Sequence, residues 1–273
     1  MDLGLKDKVA VLTGASKGIG FCSALALARE GAKVAINARN PEGLERAAAR
    51  IRAETGAEVL PVPGDMGVRA DVKRLMQTVA DHFGRIDILV NCAGSSPGGL
   101  LLDITEEQWQ TSLNLKFLGY VRTMTEVIPY MIRQGGGRIV NVIGNDGVKP
   151  IYFELTPSAA NAAGQAVTLA LAEQYGPHNI LICAVNPGPV DTDRWDGLEK
   201  QMAKDKGITQ AEARRLVERS IPLGRIAKPE EVADLVCFLA SGRNTFITGT
   251  QINIDGAQRK AIMDVPGAWL ASS

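Results

Sequence analysis

The 273 residues carry 30 basic and 30 acidic side chains, a balance that removes any broad electrostatic case for nucleic acid or an anionic membrane surface and makes a small molecule the default ligand. An apolar share of 45% is ample for one well-buried core. No window approaches the ~20 apolar residues of a membrane span, and MDLGLKDKVAVLTG has no basic segment ahead of a long apolar run, so a cytoplasmic protein is expected.

In chain order, a first strand at 8–14 (KVAVLTG) runs into Gly14, Gly18 and Gly20 and then a helix-period segment. Six further β-rich runs follow at 33–38, 57–62, 86–91, 138–143, 180–186 and 250–255. Several are apolar almost throughout, as strands are when helices cover both faces of a parallel sheet. Helix starts are legible at Asn40-Pro41-Glu42, at Thr156-Pro157 as a capping hydroxyl followed by proline, and at Pro229-Glu230-Glu231. The alternation predicts a single α/β domain over 1–273, a doubly wound parallel sheet of the Rossmann type with about seven strands. The one long departure, 190–225, leaves the sheet at an edge where ligands bind and is expected to form a lid. Trp195, Leu198 and Met202 would line it or simply pack within it. A tail from about 257 carries Trp269. Cys22, Cys92, Cys183 and Cys237 lie far apart in apolar runs and read as free thiols. His82 and His178 lack metal-ligand spacing, so no metal is expected.

A strand, a glycine-rich turn and a helix N-terminus together suit a pyrophosphate, because glycine lets the backbone approach and the helix end offers unpaired N–H groups. Gly14, Ser16, Lys17, Gly18, Ile19 and Gly20 form that loop. Where the second strand ends, a carboxylate would accept from a free ribose 2′-hydroxyl and a cation would favour a 2′-phosphate. The residues are Asn37-Ala38-Arg39, with Lys17 nearby, so NADP(H) is expected over NAD(H).

At these motifs the chain resembles the short-chain dehydrogenases/reductases. Thr13-Gly14-x-x-x-Gly18-x-Gly20 is similar to their cofactor loop, and Asp65, with Met66 beside it, to their adenine-contacting Asp. Asn91-Cys92-Ala93-Gly94 is similar to their Asn-Asn-Ala-Gly turn, and Pro187-Gly188-x-Val190-x-Thr192 to the segment that receives the nicotinamide carboxamide. The resemblance implies hydride transfer assisted by Asn, Ser, Tyr and Lys. Asn114 matches the Asn, but the same register puts Gly144 at the Ser, Pro157 at the Tyr and Asn161 at the Lys. None of those three carries the expected hydroxyl or ammonium.

Tyr152, in a loop close by with Asp146, Lys149 and Glu154, is the candidate substitute acid, with substrate wall as its plainer role. Three readings stay open. The chain is an atypical NADP(H)-dependent oxidoreductase acting on a carbonyl or alcohol of a small, fairly hydrophobic molecule; a non-redox isomerase, dehydratase or lyase; or a silent cofactor-binding or partner subunit of an active relative. Small residues Ala159, Ala160, Ala163, Gly164 and Ala166 suit close approach of another helix, and the family implies a homodimer or homotetramer.

Overall fold

The computed structural model describes residues 2–94, 96–152 and 154–258. Seven strands are present: β1 (Val9–Thr13), β2 (Lys33–Asn37), β3 (Val59–Pro61), β4 (Ile88–Asn91), β5 (Gly137–Val142), β6 (Ile180–Pro187) and β7 (Thr250–Ile254). The helices are α1 (Gly18–Arg29), α2 (Pro41–Thr55), α3 (Arg69–Phe83), α4 (Glu106–Ser112), α5 (Gly119–Arg133), α6 (Leu155–Tyr175), α7 (Asp193–Lys206), α8 (Gln210–Ser220) and α9 (Pro229–Ala240). A π-helical turn, Leu113–Leu118, joins α4 to α5.

The strands form one parallel sheet in the order β3-β2-β1-β4-β5-β6-β7. Every residue of β1, β4 and β6 is buried, which accounts for their apolar character without alternation. Leu12, Ile36 and Val185 meet Leu27, Ala48 and Val236 of α1, α2 and α9 on one face. On the other, Val11, Leu89 and Ile182 meet Leu75, Val127 and Ala172 of α3, α5 and α6. The chain runs outward in one direction from β1 and in the other from β4, so a crevice opens between their carboxyl ends, where doubly wound sheets bind ligands.

Local signals explain several boundaries. Asn40 caps α2 by accepting from the Gly43 N–H at 3.1 Å, with Pro41 in the first turn. The expected cap at Thr156 is not formed. The α6 helix starts one residue earlier, at Leu155, and the Thr156 hydroxyl donates to the Pro97 carbonyl at 2.6 Å, tying the helix start to the loop after β4.

The 190–225 excursion folds into α7 and α8, held by Val217, Ile221 and Ile226 with Trp195 and Met202 packed on them. Of the small residues on α6, Ala160 and Gly164 are buried, Ala163 is half-buried, and Ala159 and Ala166 are exposed. The tail beyond 258, Trp269 included, lies outside the described residues. Among the described residues no helix is long and apolar enough to cross a membrane.

Candidate active site

A cleft of about 2370 Å³ follows the carboxyl ends of the strands, larger than the ~300–1,000 Å³ typical of a single drug-sized ligand. All the residues expected at a cofactor line it, with the exception of Asn91. The glycine loop is packed so tightly that side chains do not fit. A Cβ on Gly20 would stand 2.4 Å from the Gly14 carbonyl oxygen, and one on Gly14, at φ +67, would stand 2.7 Å from the Ala93 Cα. No side chain caps the N-terminus of α1, so its first-turn N–H groups face the cleft as an anion site. The Thr13 hydroxyl accepts from the N–H groups of Cys92 and Ala93 at 3.1 and 3.2 Å, fixing the β4 turn beside that loop. These features suit a dinucleotide pyrophosphate.

Several side chains take roles the sequence did not reveal. Asn91 is fully buried, donating to Asn141 at 2.9 Å and accepting from Thr123 at 2.7 Å; its side chain builds the sheet and does not reach the cleft. Asn37 donates to the Val62 and Gly64 carbonyls and so shapes the loop after β3. Asp65 accepts from the Gly67 N–H at 2.8 Å, within its own loop. Lys17 pairs with Asp193 of α7 at 3.1 Å, both well exposed, which links the glycine loop to the lid. Arg39 is exposed at the rim, and Arg46 and Arg50 also line this end of the cleft.

At the far end the π-helical turn carries Leu115 and Lys116 on the cleft wall. Asn114 does not line the cleft; its amide donates to the Gly67 carbonyl at 3.2 Å and its side-chain oxygen accepts from Arg122 at 2.7 Å. Lys116, two residues on, does line it and is only 7% exposed. Its stem runs beside Gly94, where a Cβ would stand 2.9 Å from Lys116 Cγ. Gly94 thus leaves the channel through which the lysine reaches the cleft.

The position of Gly144 is filled from both sides. Asn161 donates to Asp146 at 2.5 Å, both residues are buried, and a Cβ on Gly144 would stand 2.5 and 2.6 Å from the two bonded atoms. Pro157 is buried in the first turn of α6 and does not line the cleft. Tyr152 lines it but is 47% exposed, and partial burial raises its pKa. Lys149 does not act on Tyr152: it binds Asp255 at 2.6 Å and the Gln258 carbonyl at 2.6 Å. The Tyr120 phenol donates to the Val142 carbonyl at 2.7 Å, and burial lifts its pKa far above the usual value.

Burial pulls the Lys116 pKa from 10.5 down to about 8; the Arg194 guanidinium pushes the same way, and the carboxylates of Asp146 and Glu154 oppose it. Glu154 moves upward, first from burial and then from the Asp146 charge, against Arg194 and Lys116. Lys116 is a titratable cleft-lining group that sequence reading missed. The one signal was a lone cation between the apolar residues Leu115 and Phe117.

Residues 14–257 match the family model described as enoyl-(acyl carrier protein) reductase. A 3-oxoacyl-[acyl-carrier-protein] reductase, FabG, of Thermotoga maritima is 34% identical over 255 residues, covering 92% of this chain and 98% of its own. The short-chain reductase protein NovJ of Streptomyces niveus is 34% identical, over 93% of this chain and 94% of its own. Among solved structures, the L-sorbose reductase of Gluconobacter frateurii, complexed with NADPH and L-sorbose, superposes with a TM-score of 0.91 at 32% identity, covering 96% of this chain and 100% of that one. The chain belongs to the short-chain dehydrogenase/reductase family.

Proposed function

We propose that this protein is an NADP(H)-dependent oxidoreductase that reduces a carbonyl, or oxidises the matching alcohol, on a small and fairly hydrophobic molecule, without the Ser, Tyr and Lys of the usual tetrad. The observation that carries this reading is a single cleft with a glycine-cradled helix N-terminus at one end and the group Lys116, Asp146, Glu154 and Asn161 at the other. NADPH in such a cleft would supply a hydride to the carbonyl carbon. The chain must then hold the substrate and provide a proton for its oxygen.

Gly14, Ser16, Gly18, Ile19 and Gly20 would hold the pyrophosphate, and Arg39, with Lys17 at the rim, the 2′-phosphate. Asp65 and Met66 would flank the adenine, Ala93 and Gly94 the ribose, and Pro187, Gly188, Val190 and Thr192 the nicotinamide. The NADPH bound in the L-sorbose reductase supports the choice of cofactor. Trp195, Leu198 and Met202 of α7 face the cleft and favour an apolar substrate. Tyr152 at the exposed rim would serve as substrate wall, and the exposed Ala159 and Ala166 of α6 would pack in a homodimer or homotetramer.

The test is a fluorescence titration with NADPH and NADH, followed by nicotinamide absorbance over a panel of ketones, aldehydes and 3-oxoacyl thioesters. Tighter binding of NADPH and its oxidation by a member of the panel are expected. Failure to bind either nucleotide would overturn the reading.

A further inference from the structure

We propose that Lys116 is the proton donor of this site: the π-helical turn presents its ammonium to the cleft, where it protonates the substrate oxygen as the carbonyl is reduced. The inference rests on the reductase reading and names the group that performs its acid step.

The geometry argues for a lysine held for use. An amphipathic helix continued regularly through 113–118 would keep one unbroken face toward the core, but the π-helical turn inserts a step in that register. Such turns recur at functional sites. Within this turn Asn114 bonds Gly67 and Arg122, and Lys116 stands in the cleft. Its stem occupies the space that a side chain at position 94 would fill.

No hydrogen bond or ion pair within 4.0 Å holds the ammonium among the described residues. A cation that opens only onto a cleft and has no direct protein partner is costly, and structure pays that cost chiefly at working sites. Titratable groups face it from the neighbouring elements: Asp146 from the turn after β5, Glu154 from the start of α6, Arg194 from α7, and the Cys92 thiol from the turn after β4. The two carboxylates keep it from being expelled as a cation, while burial and Arg194 bring its pKa to about 8, close to the working pH where a general acid is most effective.

Two other titratable groups at this end of the cleft are committed elsewhere. Lys149 is bound to Asp255, and the Tyr120 phenol donates to Val142. Asn161 does not titrate. Tyr152 is half-exposed with its pKa raised, so it gives up a proton less readily than an ordinary phenol. In the proposed step the Nζ–H bond breaks and an O–H bond forms at the substrate oxygen. The carbonyl carbon gains the hydride and its electron pair, and the neutral amine left on Lys116 regains a proton from water.

The experiment compares wild type with Lys116→Met and Lys116→Arg in both directions. Reduction needs the ammonium, so wild-type kcat/KM should be level below about pH 8 and fall above it, and alcohol oxidation should rise through the same pH. Lys116→Met should lose roughly 10²–10⁴ in kcat/KM together with that transition. Lys116→Arg should not restore activity, because guanidinium does not release a proton in this range.

A readout independent of turnover is carbon-13 reductive methylation of the protein. One dimethyl-lysine resonance, missing from Lys116→Met, should titrate near 8, below the ordinary lysine value of 10.5. Titration at the bulk value, or full activity of Lys116→Met with an unchanged pH profile, would overturn the role of Lys116 alone. An absence of NADPH consumption by wild type across the panel would instead overturn the reductase reading and, with it, this step.

Discussion

Replacing Lys116 by methionine should make the protein more stable at neutral pH, and the size of the gain can be worked from the burial of this one ammonium. The group titrates at about 8 in the folded chain against 10.5 in the open chain. The folded state therefore disfavours the charged form by about 3 kcal/mol below pH 8, at ~1.36 kcal/mol per unit. The sign follows from proton counts. Between about 8 and 10.5 the unfolded chain holds more protons on this lysine than the folded one, so wild-type stability rises with pH in that window relative to a variant without the group.

Lys116→Met should thus exceed wild type by up to about 3 kcal/mol at pH 7, reduced by whatever Asp146 and Glu154 lose with their neighbouring cation, and the gap should shrink by about 2 kcal/mol by pH 10. Urea unfolding followed by circular dichroism at several pH values measures both quantities. Because other lysines, tyrosines and cysteines titrate in both proteins, their contributions cancel in the difference. A gap that stays constant from pH 7 to pH 10, or a variant less stable than wild type across the range, would refute the claim that a buried ammonium is held here at a cost to the fold.

Gly144→Ser and Gly144→Ala should each cost about 1.5–3 kcal/mol, the worth of a hydrogen bond to a charged group, since any Cβ there displaces the Asp146–Asn161 pair; equal losses in urea unfolding are expected, and a neutral serine would contradict the filled position. Arg39→Ala should weaken NADPH about tenfold, roughly 1.4 kcal/mol, while leaving NADH unchanged in the fluorescence titration. The thiols should react slowly with a disulfide reagent at pH 7, because burial pushes Cys22 and Cys183 to about 11 and Cys92 and Cys237 to about 12; a fast phase in the native protein would contradict those environments.

The sheet and the nucleotide end were readable because their causes are local. Glycines at 14 and 20 are dictated by close backbone contact and Gly18 by its φ of +58, and the Asn40-Pro41 start is a self-contained cap. The reaction end was less legible because its causes are distant or lie in helix register. Asn114 matched an expected residue by neighbours in sequence, but its side chain is held by Gly67 and Arg122, while Lys116, two positions on, lines the cleft. Lys17 was read as a phosphate contact, but no local pattern shows that α7, 176 positions away, also brings Asp193 to it. Thr156 carried every mark of a helix cap, yet Pro97 from another loop took its hydroxyl. Gly144 read as a missing hydroxyl, whereas the fold places an Asp146–Asn161 bond in that space.

The most direct test of the whole account is isotopic. Wild-type protein is incubated with NADPH carrying deuterium at both C4 positions of the nicotinamide and with the carbonyl panel, and the products are analysed by mass spectrometry. The account predicts an alcohol carrying one deuterium on the former carbonyl carbon, formed much more slowly by Lys116→Met. Conversion of a panel compound without deuterium uptake, or bound NADPH that is never oxidised, would contradict it.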